Sequence, residues 1–164
     1  MSAADLSACR LYGILDLGYV ARAEARRVAA AMLEGGVDIL QLRAKNLSLA
    51  EIATLAGELH KETSAAGAPL VINDHAEIAC EVGAEGVHVG QDDLSVNEAR
   101  AIAAERRFES PAVASQPLRV GKSTHSLEQA KRAVAEGADY IGWGPLFATP
   151  TKPDYLPIGL GEIE

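Results

Sequence analysis

Three stretches of the chain repeat one pattern, in which a helix-like segment ends at glycine and a short apolar strand follows. They are Glu34–Leu40, Val82–His88 and Glu136–Gly142. Glycine adopts the left-handed conformation that ends a helix without steric cost. The repeat therefore predicts a chain built from alternating helices and short strands.

The predicted strands are short apolar runs, and amphipathic segments separate them. We place strands near 11–15, 38–42, 69–73, 86–90, 119–123 and 139–143. We place helices near 19–34, 48–66, 76–82, 95–107 and 126–136. Three helix starts, at Ser48, Ser95 and Ser126, match the capping box, in which Glu or Gln follows the serine by three residues. Strands that are apolar on both faces indicate a buried parallel sheet.

Strict alternation of strand and helix predicts an α/β protein whose parallel sheet is either doubly wound or closed into a barrel. No G-x-G-x-x-G motif follows the first strand, which disfavours a dinucleotide-binding fold. The spacing of the units favours a TIM-type (β/α)8 barrel, a fold that typically needs roughly 200 residues or more. With 164 residues, we expect a single, incomplete TIM-barrel domain over 1–164, truncated to about six β/α units.

Charge and composition disfavour several classes of partner. The formal net charge is −8 and aromatic residues make up 4%, whereas nucleic-acid binding needs a basic surface and stacking side chains. No apolar run reaches the ~18 residues of a membrane helix, and the N-terminus has no export pattern. Cys9 and Cys80 lie far apart without metal-type spacing, which favours reduced thiols. We expect a cytoplasmic protein with no nucleic acid and no membrane partner.

Polar residues gather after the predicted strands, at the end where parallel α/β folds bind ligands. Gln41, Arg43 and Lys45 alternate through the end of the second strand, so their side chains can share one face. Two cations and an amide suit a phosphate or a pyrophosphate. The alternative is a solvated loop just beyond the strand.

Asp74 and Asp93 follow the third and fourth strands. Two carboxylates that come close repel each other unless a cation lies between them or one is protonated. Hard oxygen ligands suit Mg²⁺, which proteins often share with substrate phosphates. The alternative is that each aspartate caps the helix that follows it.

Weaker candidates follow the last two strands. After strand five come Lys122, Ser123 and His125; Ser123 can donate a hydrogen bond to a leaving phosphate, and a lone histidine is more often structural. After strand six, the Thr149–Lys152 loop offers two hydroxyls and a cation in a proline-stiffened turn. Its alternative is a rigid surface loop.

Five motifs occur in order along nearly the whole chain, and together they resemble the thiamine-phosphate synthase family. The motifs are Gln41–Lys45, Ile72–Asp74, Gly86–Leu94, Gly121–Ser126 and Gly142–Lys152. The resemblance implies a (β/α)8-barrel transferase with small phosphorylated substrates. Such an enzyme couples 4-amino-2-methyl-5-hydroxymethylpyrimidine diphosphate with thiazole phosphate to give thiamine phosphate and pyrophosphate.

The resemblance also implies roles for individual residues. Substrates would be bound by Gln41, Leu42, Arg43, Ala44, Lys45, Asn73, Ser123, Thr149, Pro150, Thr151 and Lys152. Asp74 and Asp93 would bind Mg²⁺, the implied cofactor. The catalytic residues would be Arg43, Lys45, Ser123 and Lys152. The implied mechanism is dissociative: pyrophosphate leaves first and the thiazole nitrogen then attacks, so charge on the leaving group must be stabilised and no general base is needed.

The family pattern continues beyond this sequence with two further strand–helix units, which include a glycine-rich, phosphate-binding strand end. Two alternatives to full synthase activity therefore stay open. One is a thiazole tautomerase-like isomerase with His125 as its acid/base group, and the other is a non-catalytic, ligand-binding remnant. Open sheet edges favour association, so we expect a homo-oligomer.

Overall fold

The computed structural model describes residues 8–109, 117–148, 157–159 and 161. The strands are β1 (Tyr12–Asp16), β2 (Ile39–Arg43), β3 (Leu70–Asn73), β4 (Gly86–Val89), β5 (Arg119–Thr124) and β6 (Tyr140–Trp143). The helices are α1 (Ala25–Glu34), α2 (Leu49–Ala66), α3 (Ala76–Val82), α4 (Val96–Glu109) and α5 (Leu127–Ala135). All strand pairs are parallel, and the strands lie in sequence order in one sheet. The predicted alternation is confirmed, and each predicted strand overlaps an observed one.

One face of the sheet packs against the helices. A row in register crosses five strands, and each of its side chains is at most 1% exposed: Leu15, Leu42, Ile72, Val87 and Val120. Leu55 and Leu59 of α2 belong to the same core. Because strand residues alternate between faces, the residues that precede or follow this row in each strand face the opposite side of the sheet. Gln41, Asn73, His88 and Tyr140 are among them.

The sheet is curled. Within the described residues β1 pairs with β2 alone and β6 with β5 alone, yet the hydroxyl oxygens of Tyr12 and Tyr140 lie 3.0 Å apart. A flat sheet would separate these first and last strands by the width of four others, at ~4.8 Å per step. The fold is therefore the curled, TIM-type half-barrel that the strand–helix alternation predicts.

The first helix begins later than predicted. The sequence pattern favours a helix over 19–34, whereas a short 3-10 turn occupies Arg22–Glu24 and α1 begins only at Ala25. Asp16 is the reason, because its carbonyl accepts hydrogen bonds from the amides of Tyr19 and Val20. Its side chain also accepts from the amide of Gly18 at 2.8 Å. A turn built on an aspartate side chain replaces the first helical turn.

The helix caps agree with the predictions at two of the three positions. Complete capping boxes form at Ser48 and at Ser95. At Ser126 the hydroxyl caps the amide of Gln129, but the Gln129 side chain reaches past the serine and accepts from the amide of His125 at 2.7 Å. The third capping box is therefore only half formed.

Candidate functional site

The carboxyl end of β2 presents Gln41, Arg43 and Lys45, each paired with a different neighbour. Arg43 donates to Asp16 of β1 at 2.7 Å, and the two residues are register partners. Lys45 lies 3.1 Å from a carboxylate oxygen of Asp74. Arg43 keeps further N–H donors after this contact, because a guanidinium has five. The structure therefore brings both cations to one edge of the sheet.

Asp74 occupies an unusual backbone conformation just after β3. Its φ is 68°, the left-handed region that aspartate tolerates better than most residues. The amide of His75 donates to the carbonyl of Asn73, which closes a three-residue turn with Asp74 at its centre. This turn keeps the Asp74 carboxyl within reach of both Lys45 and Asp93.

The environment of Asp74 opposes its ionisation. Burial raises the pKa of the Asp74 carboxyl above its ordinary value of 3.8, and the neighbouring Asp93 raises it further, against the opposing effect of Lys45. Two carboxyls that share a partly buried site without a second cation behave in this way. The pair is therefore short of positive charge.

Asp93 lies in the loop between β4 and α4. Its side chain accepts from the amide of Gly90 at 2.9 Å. A Cβ atom at position 90 would lie 2.5 Å from the Asp93 oxygen, so a larger residue there would displace the Asp93 side chain from this position. The Nζ of Lys122, on β5, donates to the carbonyls of Gly90 and Leu94 at 2.6 and 3.1 Å.

The inner face of the sheet holds a continuous series of hydrogen bonds between six side chains. We call it the interior hydrogen-bond series, and its members are Ser123, His88, Tyr140, Tyr12, Gln41 and Asn73, joined at 3.0, 3.3, 3.0, 2.8 and 3.3 Å in that order. Asn73, His88 and Tyr140 lie on one register row, which passes through Gly121 of β5, although Asn73 ends β3 and Tyr140 begins β6.

The series has one direction. The hydroxyl of Tyr12 donates to the Gln41 carbonyl oxygen, so the contact between the two tyrosines is a donation from Tyr140. The proton of Tyr140 is then committed, so the tautomer of His88 that fits has its proton on Nδ1, which donates to Tyr140, and accepts at Nε2 from Ser123. In that tautomer each member donates to the next, from Ser123 to Asn73.

Burial raises the pKa of Tyr140 to about 12 and raises that of Tyr12 well above its ordinary value of 10. Both phenols therefore stay protonated at neutral pH, as the direction of the series requires. With a neutral His88, the Ser123 hydroxyl donates to Nε2 and keeps its lone pairs as acceptors for a ligand.

The remaining predicted site residues do not take part in these contacts. Leu42 and Ala44 are 1% and 5% exposed and belong to the core beneath the helices, so only their backbones are available to a substrate. The described residues do not include the loop Thr149, Pro150, Thr151 and Lys152. His125 contacts the carbonyl of Gly144 through Nδ1, at the carboxyl end of β5.

Sequence reasoning missed Asp16, Tyr12 and Tyr140 as parts of this region. A signal was available for Asp16: it ends the first strand as Arg43 ends the second, and parallel strands in register bring those ends together. No local signal marks Tyr12 and Tyr140, because their contact depends on the curl of the whole sheet.

The Asp74–Asp93 pair has the donor chemistry that Mg²⁺ prefers. Proteins bind Mg²⁺ through one or two carboxylates and leave the other positions to water and substrate phosphates. Within the residues that the structure describes, no group of three or more His, Cys, Asp or Glu could hold a metal by itself. The two carboxylates therefore fit a Mg²⁺ ion that is shared with a phosphorylated ligand and do not fit an all-protein metal site.

A curled parallel sheet with helices on its outer face and polar residues at its strand ends defines a (β/α)-barrel enzyme. The sequence profile described as thiamine monophosphate synthase matches residues 11–164. The thiamine-phosphate synthase of Chloroflexus aurantiacus is 41% identical over 164 residues, which cover 99% of this chain and 70% of the relative. That of Shouchella clausii is 39% identical over 147 residues, 90% of this chain and 65% of the relative.

The solved thiamine phosphate pyrophosphorylase from Pyrococcus furiosus has the same fold, with a TM-score of 0.74 and 30% identity over 93% of this chain and 66% of that one. The chain belongs to the thiamine-phosphate synthase family, a family of transferases. It spans between 65% and 70% of the length of these three relatives. Among the described residues, no helix is both long and apolar enough to cross a lipid bilayer.

Proposed function

We propose that this chain provides the pyrimidine-diphosphate site of a thiamine-phosphate synthase. The reaction couples the hydroxymethylpyrimidine diphosphate with thiazole phosphate and releases pyrophosphate. The observation that carries the proposal is the meeting of Asp74 and Asp93 beside Lys45, with Arg43 at the end of the same strand. Carboxylates for a metal and cations for a diphosphate thus share one edge of the sheet.

Arg43 and Lys45 bind the diphosphate in this proposal. Asp16 holds the Arg43 guanidinium in place, which leaves the other N–H donors for phosphate oxygens. As the bond from carbon to the pyrophosphate oxygen breaks, negative charge grows on the leaving group, and fixed cations stabilise that charge without reorganising. No proton has to be removed, because the attacking thiazole nitrogen has none.

Asp74 and Asp93 hold the Mg²⁺ ion. When it is bound, the ion supplies positive charge that stabilises the leaving pyrophosphate. The raised pKa of Asp74, which comes from burial and from the neighbouring Asp93, supports this role, because a bound cation would offset both effects.

The interior hydrogen-bond series suits the aminopyrimidine ring. The side-chain oxygen of Asn73 accepts from Gln41, so the NH₂ group of Asn73 can donate to a ligand. Ser123 offers an acceptor at the other end of the series. An acceptor matches an exocyclic amino group, and an amide donor matches a ring nitrogen. We therefore assign Gln41, Asn73 and Ser123 to the pyrimidine.

The remaining assignments are proposals from the family resemblance. Lys152 would contact the pyrophosphate or the pyrimidine, and Thr149 to Thr151 would bind the thiazole phosphate. We further propose that the protein works in the cytoplasm and forms a homo-oligomer.

The decisive test is release of pyrophosphate in the presence of both substrates. It should be measured for the 164-residue chain and for the same chain extended by the C-terminal third of the Chloroflexus aurantiacus relative. We expect Mg²⁺-dependent release by the extended chain only when both substrates are present, and loss of release in Asp93→Asn. Isomerisation of a thiazole carboxylate phosphate that continues in chelator and stops in His125→Ala would instead favour the isomerase alternative.

A further inference from the structure

Lys122 is a buried cation that contacts the backbone of a neighbouring loop. The residue is 7% exposed, and its Nζ donates to the carbonyls of Gly90 and Leu94 at 2.6 and 3.1 Å. These two carbonyls lie on either side of Asp93 in the chain. A buried ammonium is costly unless it has such partners, so these hydrogen bonds determine where the Lys122 side chain lies.

The loop that Lys122 holds is fixed at two further points. The Asp93 carboxylate accepts from the amide of Gly90 at 2.9 Å. The predicted metal ligand is therefore hydrogen-bonded to the backbone of its own loop. The side-chain amide of Gln91 donates to the carbonyl of Ser123 at 2.5 Å and joins the loop to β5 a second time. Asp93 itself is exposed, so no packing of its own side chain holds it there.

A lysine at position 122 costs folding free energy, because its side chain lies beside the apolar core. Lys122 is the register partner of Val89, which is fully buried in the apolar core. An apolar residue would suit that surrounding at less cost, and its absence indicates that the ammonium has a task at the loop. The charge itself is unhelpful to a metal site, because a cation on this loop repels a second cation.

We propose that Lys122 is a positioning residue that clamps the Gly90–Leu94 loop and thereby holds Asp93 where it can bind a divalent cation together with Asp74. This inference rests on the proposed function, because it requires that the two aspartates bind a metal. It assigns Lys122 no contact with substrate. The lysine acts through the loop backbone alone.

The sign of one measurement separates this role from a simple charge effect. If Lys122 acted through its charge, Lys122→Met would strengthen binding of a divalent cation by removing repulsion. If it acts as a clamp, Lys122→Met weakens binding, because Asp93 loses its fixed position. Residues that support metal ligands in this way typically change metal affinity by about 10-fold or more.

The experiment measures Mn²⁺ binding to the 164-residue chain by electron paramagnetic resonance at a fixed concentration of inorganic pyrophosphate, which supplies the shared phosphate oxygens; the same solution without protein gives the background. We expect about 10-fold weaker binding in Lys122→Met and partial recovery in Lys122→Arg, which keeps both the charge and the donors. Lys61→Met, at an exposed lysine of α2, makes the same change in charge and should bind as wild type does. Lys122→Gln, which keeps one donor, replaces Lys122→Met if circular dichroism shows that the methionine variant is unfolded, and we expect weaker binding there too.

The outcomes distinguish the two proposals. Equal or tighter binding in the folded Lys122 variants, with weaker binding in Asp74→Asn, overturns the clamp and leaves the metal site in place. Wild-type binding that Asp74→Asn and Asp93→Asn do not change overturns the metal site and the clamp together.

Discussion

The hydroxyl oxygens of Tyr12 and Tyr140 lie 3.0 Å apart although one tyrosine is on the first strand of the sheet and the other on the last. This contact joins the two open edges of the curled sheet across its interior. It is also the middle link of the interior hydrogen-bond series, whose ends are Ser123 and Asn73. The same pair thus links the two edges of the curled sheet and connects two predicted substrate-binding side chains, Ser123 and Asn73.

Tyr140→Phe should destabilise the fold, because it removes the only donor of Tyr140 and leaves the hydrogen bond to Tyr12 unmade. We expect a loss of about 1–2 kcal/mol in the free energy of unfolding, the usual effect of one buried hydrogen bond. Urea unfolding followed by circular dichroism measures it. Tyr19→Phe, at a residue that is 70% exposed, is the matched control. Equal stability of the two variants would contradict the link.

Gly121→Ala should be more damaging than its size suggests. A Cβ atom at position 121 would lie 2.2 Å from Cζ of Tyr140, so the phenol ring would have to leave its place. Overpacking of this kind costs about 1–3 kcal/mol. Gly57→Ala in α2 is the control, because its Cβ would be 4.0 Å from the nearest atom and alanine favours the helix by about 0.5–1 kcal/mol. Opposite signs are expected in urea unfolding, and a neutral Gly121→Ala would contradict the packing.

The stability of the chain should depend on pH through Asp74. Burial and Asp93 raise the pKa of Asp74 in the folded chain above its ordinary value of 3.8. The folded state therefore holds this proton to higher pH than the unfolded state does. Ionisation of Asp74 costs no folding free energy below pH 3.8, and the cost grows as the pH rises through the raised pKa.

Relative to Asp74→Asn, which does not titrate, wild type should lose stability as the pH rises above about 4. Urea unfolding at a series of pH values, in chelator, measures the difference, and Asp92→Asn serves as the control at an exposed carboxyl. Adding Mg²⁺ at pH 7 should reduce the difference in stability between wild type and Asp74→Asn, because the ion restores the missing positive charge. A difference that stays constant or grows in favour of wild type would show that the Asp74 environment does not oppose its charge.

Arg43→Gln should weaken binding of pyrophosphate in the presence of Mg²⁺. A hydrogen bond to a charged group contributes about 1.5–3 kcal/mol, which corresponds to a loss of about 10- to 100-fold in affinity. Calorimetric titration with inorganic pyrophosphate measures it. Arg27→Gln makes the same change in charge at a surface arginine paired with Glu24 and should bind nearly as wild type does. Similar losses in both variants would show that overall charge, and not Arg43, attracts the ligand.

The sequence predicts the sheet well because its signals are local. Short apolar runs and glycine helix ends placed every strand, and the parallel order of the strands then brought Asp16, Arg43 and Asp74 to the carboxyl end of the sheet. The turn at Asp16 was missed because an aspartate side chain outcompeted helix propensity over residues 17–20. Tyr12 and Tyr140 were missed because no pattern in the sequence reports a contact across 128 positions. The direction of the Ser123 hydroxyl follows only from the complete series.

Calorimetric titration of inorganic pyrophosphate, with and without Mg²⁺, tests whether Asp74 and Asp93 hold the ion. It should compare wild type with the double variant Asp74→Asn/Asp93→Asn. We expect Mg²⁺ to strengthen binding to wild type and to have no such effect on the double variant. An equal gain from Mg²⁺ in both proteins would show that these two carboxylates do not hold the ion.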